Sequence, residues 1–377
     1  MAKQKRKSWA VYAITKHGLE IGKKLVQDLD DVDFYVSKKF MDQFPDEKAI
    51  RLELPMGPEL KKTFPQYDAH IFIISVGAVV RMIAPFLKDK KIDPAVLCVD
   101  DTASFTIPVL SGHVGRGNEF ALKIAKILNN TPVVTTASDV TGTLTVDILG
   151  RELGWVLDDM DRNVTSGCAA VVNQESVLIV QETGDPNFWP LDKSLPKGVS
   201  YTTSFEGVDV QKYGMILSIT DRFIKKKYSE IYDKSVIYRP KSLTLGLGCD
   251  RSTPFEVVER GIQKILKEHG LDICCVKIIA SVDRKADEKA FLEIADKYGW
   301  EFITYSAEEL DAIKNMPNPS ETVKKFVGTK GVCEPSAVLA AGAKELLIEK
   351  KIYKEEKINK NLTVAVARIP FARRAVN

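Results

Sequence analysis

The chain has 377 residues, 45% hydrophobic and 28% charged, with a net charge of +3. That length implies two or three domains, and the near balance of charge argues against a nucleic-acid partner. No apolar run approaches the roughly 18 residues of a membrane span, since 69–87 is broken by His70, Arg81 and Pro85, and the basic start 3–7 lacks the apolar run of a signal peptide. Six cysteines (98, 168, 249, 274, 275 and 333) show no C-x-x-C spacing, which argues against a zinc cluster or a disulfide scaffold and for a reducing cytoplasm.

In chain order, 9–14 reads as a buried strand, 18–29 as a helix with Leu19, Leu25, Val26 and Leu29 on one face, and 32–36 as a short strand. Residues 70–75 form a strongly apolar strand, followed by Gly77 and a helix through Leu87. Strand 95–99 ends at Asp100 and Asp101. Strand 105–110 runs into Ser-Gly-His-Val-Gly-Arg-Gly-Asn at 111–118, which opens a helix to 128, and 131–136 is a further strand. Apolar strands separated by helices predict a mostly parallel sheet covered on both faces, a Rossmann-like α/β domain over 1–141. Residues 142–238 form a less regular middle α/β segment, with helices at 144–153 and 161–174 and strands at 177–181 and 215–220. Its basic run 222–227 reads as a solvated face. A C-terminal α/β domain spans 239–377. Strand 242–249 enters a glycine turn, and Thr253 caps a helix over 255–268, with Pro254 at its first position and Glu256 completing a capping box. Strands 275–280, 301–304 and 362–367 and helices 287–298 and 335–348 complete it. Adjacent Cys274 and Cys275 are expected on opposite faces of a strand.

The stretch 111–118 carries the most chemical information. Ser111, Gly112, Gly115 and Gly117 surround His113, one of four histidines, and Asn118 stands at the helix start. A helix start offers unpaired N–H donors and a positive dipole end. Glycines admit close approach of backbone to ligand, and an imidazole there is a candidate acid or base. Three more corners follow strands: Ser75 and Gly77 leading to Arg81, Asp100 with Asp101, and Thr135 and Thr136 with Asp139. Four corners at strand ends are expected to converge on one sheet edge, where open α/β sheets bind ligands, and their mixture of groups suits an anionic organic substrate. Each also has an ordinary reading, as a packed histidine, a helix cap or a surface arginine. In the last domain the candidates are Gly246, Gly248 and Cys249 with Arg251, Ser281 with Lys285, and Gly331 with Glu334. Lys285 and Arg251 either face solvent or give a basic wall for carboxylates, and Glu334 has an ordinary reading as helix-start chemistry. No complete G-x-G-x-x-G, Walker A, H-E-x-x-H or G-x-S-x-G is present.

These residues resemble a known family. Residues 76–85 (Val-Gly-Ala-Val-Val-Arg-Met-Ile-Ala-Pro), 93–100, Leu-Ser-Gly-His-Val-Gly at 110–115 with Asn118, and Thr-Thr-Ala-Ser-Asp at 135–139 look like the N-terminal motifs of the CbiG family of cobalt-precorrin-5A hydrolases. Gly-Leu-Gly-Cys at 246–249, Ser-Val-Asp at 281–283 with Lys285, and Gly-Val-Cys-Glu-Pro at 331–335 look like its C-terminal domain. The family pattern is Ser-Gly-His-x-Gly-Gly-x-Asn; here Arg116 replaces the second Gly, and Asp250 intervenes before Arg251. The resemblance implies a cytoplasmic hydrolase of anaerobic cobalamin biosynthesis. It opens the δ-lactone of cobalt-precorrin-5A and releases acetaldehyde. His113, Asp100 or Asp101 is the candidate base, and the 112–117 amides are candidate oxyanion donors. Arg81, Arg251 and Lys285 would hold peripheral carboxylates. It implies no resident cofactor or metal site, the cobalt being carried by the tetrapyrrole substrate. Neither nucleic acid nor membrane is an expected partner, and a homodimer is compatible with it. Two competing expectations are an enzyme using 111–118 as a phosphate cradle and a non-catalytic tetrapyrrole carrier.

Overall fold

The computed structural model describes residues 6–43, 49–137, 142–314, 316–372 and 374. The chain divides into two compact units, Met1–Ile148 and Leu149–Asn377.

The first unit is built on strands β1 (Lys7–Ala13), β2 (Val32–Ser37), β3 (Ala49–Leu52), β4 (Tyr67–Ile73), β5 (Ala95–Val99), β6 (Phe105–Leu110) and β7 (Thr131–Pro132). They pair in the order β3-β2-β1-β4-β5-β6-β7. The first five neighbours are parallel. Strand residues alternate between faces, so one β1 face packs Trp9, Val11 and Ala13 under helices Lys16–Asp28 and Gly117–Leu128. The other packs Ala10 and Tyr12 under helices Gly57–Thr63 and Val76–Ile83. Coverage on both faces is why these strands read as continuous apolar runs.

β6 breaks the parallel pattern. It pairs antiparallel to β5, with Val96 opposite Leu110 and Val99 opposite Thr106, and β7 follows β6 in parallel. Only residues 100–104 join β5 to β6, whereas a parallel return needs about a dozen residues or more. The carboxyl ends of β6 and β7 therefore lie at the opposite end of the sheet from those of β1, β4 and β5. The strand expected over 131–136 shortens to two residues. The helix expected over 144–153 is replaced by two 3₁₀ turns, Val146–Ile148 and Arg151–Leu153. Gly150 and Gly154 hold φ of +72° there, and a Cβ on Gly150 would sit 2.0 Å from the Trp155 ring.

The second unit holds two sheets. One contains β8 (Val156–Leu157), β9 (Val177–Gln181), β10 (Val199–Thr202), β11 (Met215–Ile219) and β12 (Ser235–Arg239) in the order β10-β9-β11-β12-β8. The other contains β13 (Leu243–Cys249), β14 (Val276–Val282), β15 (Glu301–Tyr305), β16 (Ile348–Glu355) and β17 (Lys360–Arg368) in the order β15-β14-β13-β17-β16. Parallel β13–β15 packs against helices Phe255–Glu268 and Lys289–Tyr298. Helix Cys333–Ala341 covers the opposite face through Ala337, Val338 and Ala341 against Ala365 and Ala367. Buried charge ties the two sheets together. Asp221, wholly buried, accepts two 2.8 Å bonds from Arg368 and one of 3.1 Å from the Ser242 hydroxyl. Arg239, 2% exposed, meets Asp158 at 3.0 Å and Asp272 at 3.2 Å.

Other local expectations are corrected here. Thr253 makes no capping box: its hydroxyl donates to the Asp250 carbonyl, and the helix begins after Pro254 without a side-chain cap. Cys274 and Cys275 lie on a 3₁₀ turn, Ile273–Cys275, and all six cysteines are free. Arg222 pairs with Glu182, while Lys225, Lys226 and Lys227 of the same basic run are exposed, as a solvated face requires. The last helix stops at Ala341, where Gly342 turns with φ of +60°, and 348–355 is a strand.

Candidate active site

In β13, Leu243, Leu245 and Leu247 point into the core and leave Gly246 and Gly248 on the other face. Helix Cys333–Ala341 lies directly on that face, because a Cβ on Gly246 would come 1.7 Å from the Cys333 carbonyl oxygen. A Cβ on Gly248 would come 2.6 Å from Thr363 Oγ1. Where β13 and β14 end, this packing leaves a cavity of about 380 Å³ whose wall includes Gly248, Cys249, Ser281, Lys285, Gly331 and Glu334. Sequence reasoning named those six, and the fold brings them together. Gly246 lies beneath the helix instead, and Arg251 is 57% exposed in an ion pair with Asp287 and outside the wall.

The cavity is rich in cationic side chains, Lys285, Lys330, Lys350 and Lys354, against the carboxylates of Asp250 and Glu334. Lys285 Nζ is 2.6 Å from Glu288 and 3.6 Å from Cys249 Sγ. Burial pushes the Cys249 thiol up, with Lys285 opposing it, so the sulfur stays protonated at neutral pH. Glu334, 2% exposed, accepts from the Asn318 backbone at 3.1 Å, its side-chain amide at 2.8 Å and the Lys350 backbone at 2.9 Å. It clamps a loop to β16, which is a structural task beyond the helix-start reading. Lys330, Lys350, Lys354 and Asn318 were missed by sequence reasoning. Residues 350, 352 and 354 share one face of β16 by strand alternation, a signal obscured when the preceding helix is extended to 348.

In the first unit the 111–118 loop wraps tightly on itself. Arg116, Gly117 and Asn118 donate their backbone N–H groups to the carbonyls of His113, Ser111 and Gly112, each at 2.9 Å. The three glycines permit this wrap, since a Cβ on Gly115 would sit 2.4 Å from Ser111 Cβ and one on Gly117 2.9 Å from the Leu110 carbonyl. Ser111 donates its hydroxyl to the Asp93 carbonyl at 3.1 Å, and Asn118 Nδ2 donates to Thr136 at 2.7 Å. Ser111 and Arg116 both adopt left-handed φ, +57° and +64°, a conformation that costs a non-glycine residue about 1 kcal/mol or more. His113 lies with its Nδ1 3.2 Å from Asp147 Oδ1, their side chains only 14% and 13% exposed. A groove of about 780 Å³ borders the loop, with Val114, Gly115 and Arg116 in its wall beside Arg6 and Lys91.

The four expected corners do not form one edge. Ser111–Asn118 and Thr136, with the exposed Thr135, lie at one end of the sheet. Ser75, Gly77, Arg81, Asp100 and Asp101 lie at the other, about 17 Å away along five residues of β5. Asp139 falls outside the described residues. Asp100 accepts from Thr102 and the Phe105 backbone and so shapes the β5–β6 turn, while Asp101 accepts from Thr15 at 2.6 Å and His17 at 3.0 Å. Slight burial of Asp100 is outweighed by those hydrogen bonds, and both carboxyls are held below the usual carboxylate range. Neither aspartate is a partner for His113. The antiparallel β6 is the reason, and its five-residue connection was the available signal. Asp147 is the residue in that position, and no motif marked it.

Family models for cobalamin synthesis protein G match three successive stretches: the N-terminal model 59–139, the central model 144–240 and the C-terminal model 243–367. The chain belongs to the CbiG family. Membership places it in cobalamin biosynthesis. A cobalt-precorrin-5A hydrolase from Priestia megaterium is 41% identical over 97% of this chain and 96% of its own length. One from Salmonella typhimurium is 27% identical over 89% and 92%. The structure of a cobalamin biosynthesis protein G homologue from Sulfolobus solfataricus is 24% identical, covering 96% of this chain and 97% of that one, at a TM-score of 0.36. Against the family's Ser-Gly-His-x-Gly-Gly-x-Asn, Arg116 occupies a left-handed position suited to glycine. It pairs with Glu119 and stacks on Phe120, 5.1 Å from the ring centre.

Proposed function

We propose that this protein is a cobalt-precorrin-5A hydrolase, opening the substrate's δ-lactone and releasing acetaldehyde. One observation of the fold carries the substrate class: the lysine-lined cavity at the ends of β13 and β14, assembled from the family's C-terminal motif residues. A tetrapyrrole bearing several carboxylates is larger than 380 Å³, so the cavity takes one edge of the ring. Lys330 and Lys354 pair with its carboxylates, and Lys285, already held by Glu288, adds positive field. Cobalt enters with the substrate, and no resident cofactor belongs to this proposal.

The chemistry is addition of water to the lactone carbonyl. A base removes a water proton as the oxygen attacks, and the negative charge that develops on the carbonyl oxygen needs N–H donors. Collapse breaks the ring C–O bond and gives a carboxylate and an alcohol on the extruded carbon. Loss of the alcohol proton then cleaves the bond from that carbon to the macrocycle. Acetaldehyde leaves, the bonding pair stays on the macrocycle, and a proton takes the vacated place. We assign the base to His113. The amides of Arg116, Gly117 and Asn118 are spent within the loop, and we assign the oxyanion role to those of Gly112, Val114 and Gly115.

The test is anaerobic incubation of the protein with cobalt-precorrin-5A, with acetaldehyde trapped as a hydrazone. One equivalent of acetaldehyde per macrocycle is expected. Tight corrinoid binding with no acetaldehyde would refute the enzyme and leave a carrier.

A further inference from the structure

We infer that Asp147 is a positioning residue for His113, a role that rests on the proposed function of this site. The two residues are 34 positions apart, and Asp147 sits on the 3₁₀ turn Val146–Ile148 rather than on any recognised motif. Their side chains are almost entirely enclosed, and Nδ1 to Oδ1 is 3.2 Å. Asp147 Oδ1 is shut off from solvent and has no aligned hydrogen-bond donor among the described residues. A buried carboxylate oxygen without a donor is costly unless a charge or a proton comes to it. His113, with Nδ1 3.2 Å away, is placed to supply one. Catalytic hydrogen bonds are often bent before substrate binds and straighten with it.

The arrangement specifies a division of labour on the ring. A carboxylate facing Nδ1 holds the neutral ring's proton there and leaves Nε2 as the proton acceptor. When Nε2 takes the water proton, the same carboxylate faces the new imidazolium and stabilises it. The loop supplies the other half of the orientation. His113 lies between Ser111 and Arg116, both in left-handed backbone, and its carbonyl accepts from the Arg116 amide. Its main chain is thereby fixed, and the Asp147 contact at Nδ1 bears on the rotation of the ring. Asp147 touches no reacting atom in this account and acts through the imidazole.

The experiment uses full-length protein labelled with ¹⁵N-histidine. Four histidines, 17, 70, 113 and 269, make assignment by single substitution direct. Long-range ¹H–¹⁵N spectra above the imidazole titration should show the His113 proton on Nδ1, and Asp147→Asn should lose that preference. Acetaldehyde release should fall about 10²- to 10⁴-fold in His113→Ala, the scale of general-base catalysis. Asp147→Asn should lower kcat at least tenfold with KM nearly unchanged, and Asp147→Glu should recover part of the loss. The double variant should be no slower than His113→Ala alone, since both residues serve one step. A proton found on Nε2 in the unsubstituted protein overturns the inference even if Asp147→Asn fails to fold. So does an Asp147→Asn enzyme with normal kcat beside an inactive His113→Ala, an outcome that leaves His113 as base intact. A fully active His113→Ala removes the base assignment and the role of Asp147 with it.

Discussion

Replacing Gly246 by alanine tests whether the cavity is made by backbone contact between β13 and the helix above it. The new Cβ would stand 1.7 Å from the Cys333 carbonyl oxygen, 2.7 Å from its carbon and 2.7 Å from Ser336 Oγ, where real Cβ atoms essentially never approach below 3.0 Å. The first of these is backbone, so no side-chain rotation relieves it. The start of helix Cys333–Ala341 must retreat by more than 1 Å from a strand paired on both sides. Overpacking of this kind costs about 1–3 kcal/mol, and an obstacle made of backbone puts Gly246→Ala at the upper end, about 3 kcal/mol. For a unit of this size that lowers the melting temperature by roughly 6–12 °C. Glu334 and Gly331 move with the helix start, so affinity for the substrate should fall as well. Gly331→Ala is the comparison. Its Cβ would meet only Pro335 Cδ, at 3.7 Å, and its stability should change by less than about 1 kcal/mol. Differential scanning calorimetry of both variants reads the difference. Equal melting temperatures for Gly246→Ala and the parent chain would refute the packing argument.

Four further outcomes are expected. Burial pushes the His70 imidazole down to about 4, so between there and the ordinary value near 6.5 the unfolded chain binds the extra proton and the folded chain does not. Stability of the first unit is therefore complete above about pH 6.5 and falls by about 3 kcal/mol as pH drops to 4. Hydrogen exchange of β4 amides should report this, and His70→Phe should flatten the slope. Arg239→Met strands Asp158 and Asp272 beneath β12 and should cost about 3–5 kcal/mol in urea unfolding of the second unit. Lys354→Glu should raise KM about tenfold, about 1.4 kcal/mol of binding, with kcat unchanged. Arg116→Gly relieves a left-handed side chain but loses the Glu119 pair and frees the unfolded chain, so its melting temperature should shift by no more than the equivalent of about 1 kcal/mol.

Much of the architecture was legible because the signals are local. Residues 95–99 and 105–110 read as strands with the observed limits, since apolar β-branched runs between polar turns have few alternatives. Gly248, Cys249, Ser281, Lys285, Gly331 and Glu334 stood out as glycines and polar groups following strands or preceding a helix, and that is the geometry a carboxyl-edge cavity requires. The failures have particular causes. A helix over 144–153 fits the apolar spacing, but Gly150 and Gly154 take left-handed turns and Trp155 fills the space a side chain at 150 would use. The capping box at Thr253 fits the pattern, but the hydroxyl finds the Asp250 carbonyl first.

The sequence by itself determined the α/β class, the family and many of the individual strands and helices, because each depends on residues that are neighbours along the chain. The tertiary structure alone decided which corners meet. Strand direction sets the end of the sheet at which a loop emerges, so one antiparallel pairing, β5 with β6, separates His113 from Asp100 and Asp101. An aspartate that no pattern announces, Asp147, stands beside the imidazole instead. Lys350 and Lys354 join Lys285 only because β16 folds back on β17. Charges distant in sequence become one surface through hydrogen bonding between strands, and no spacing rule along the chain carries that information.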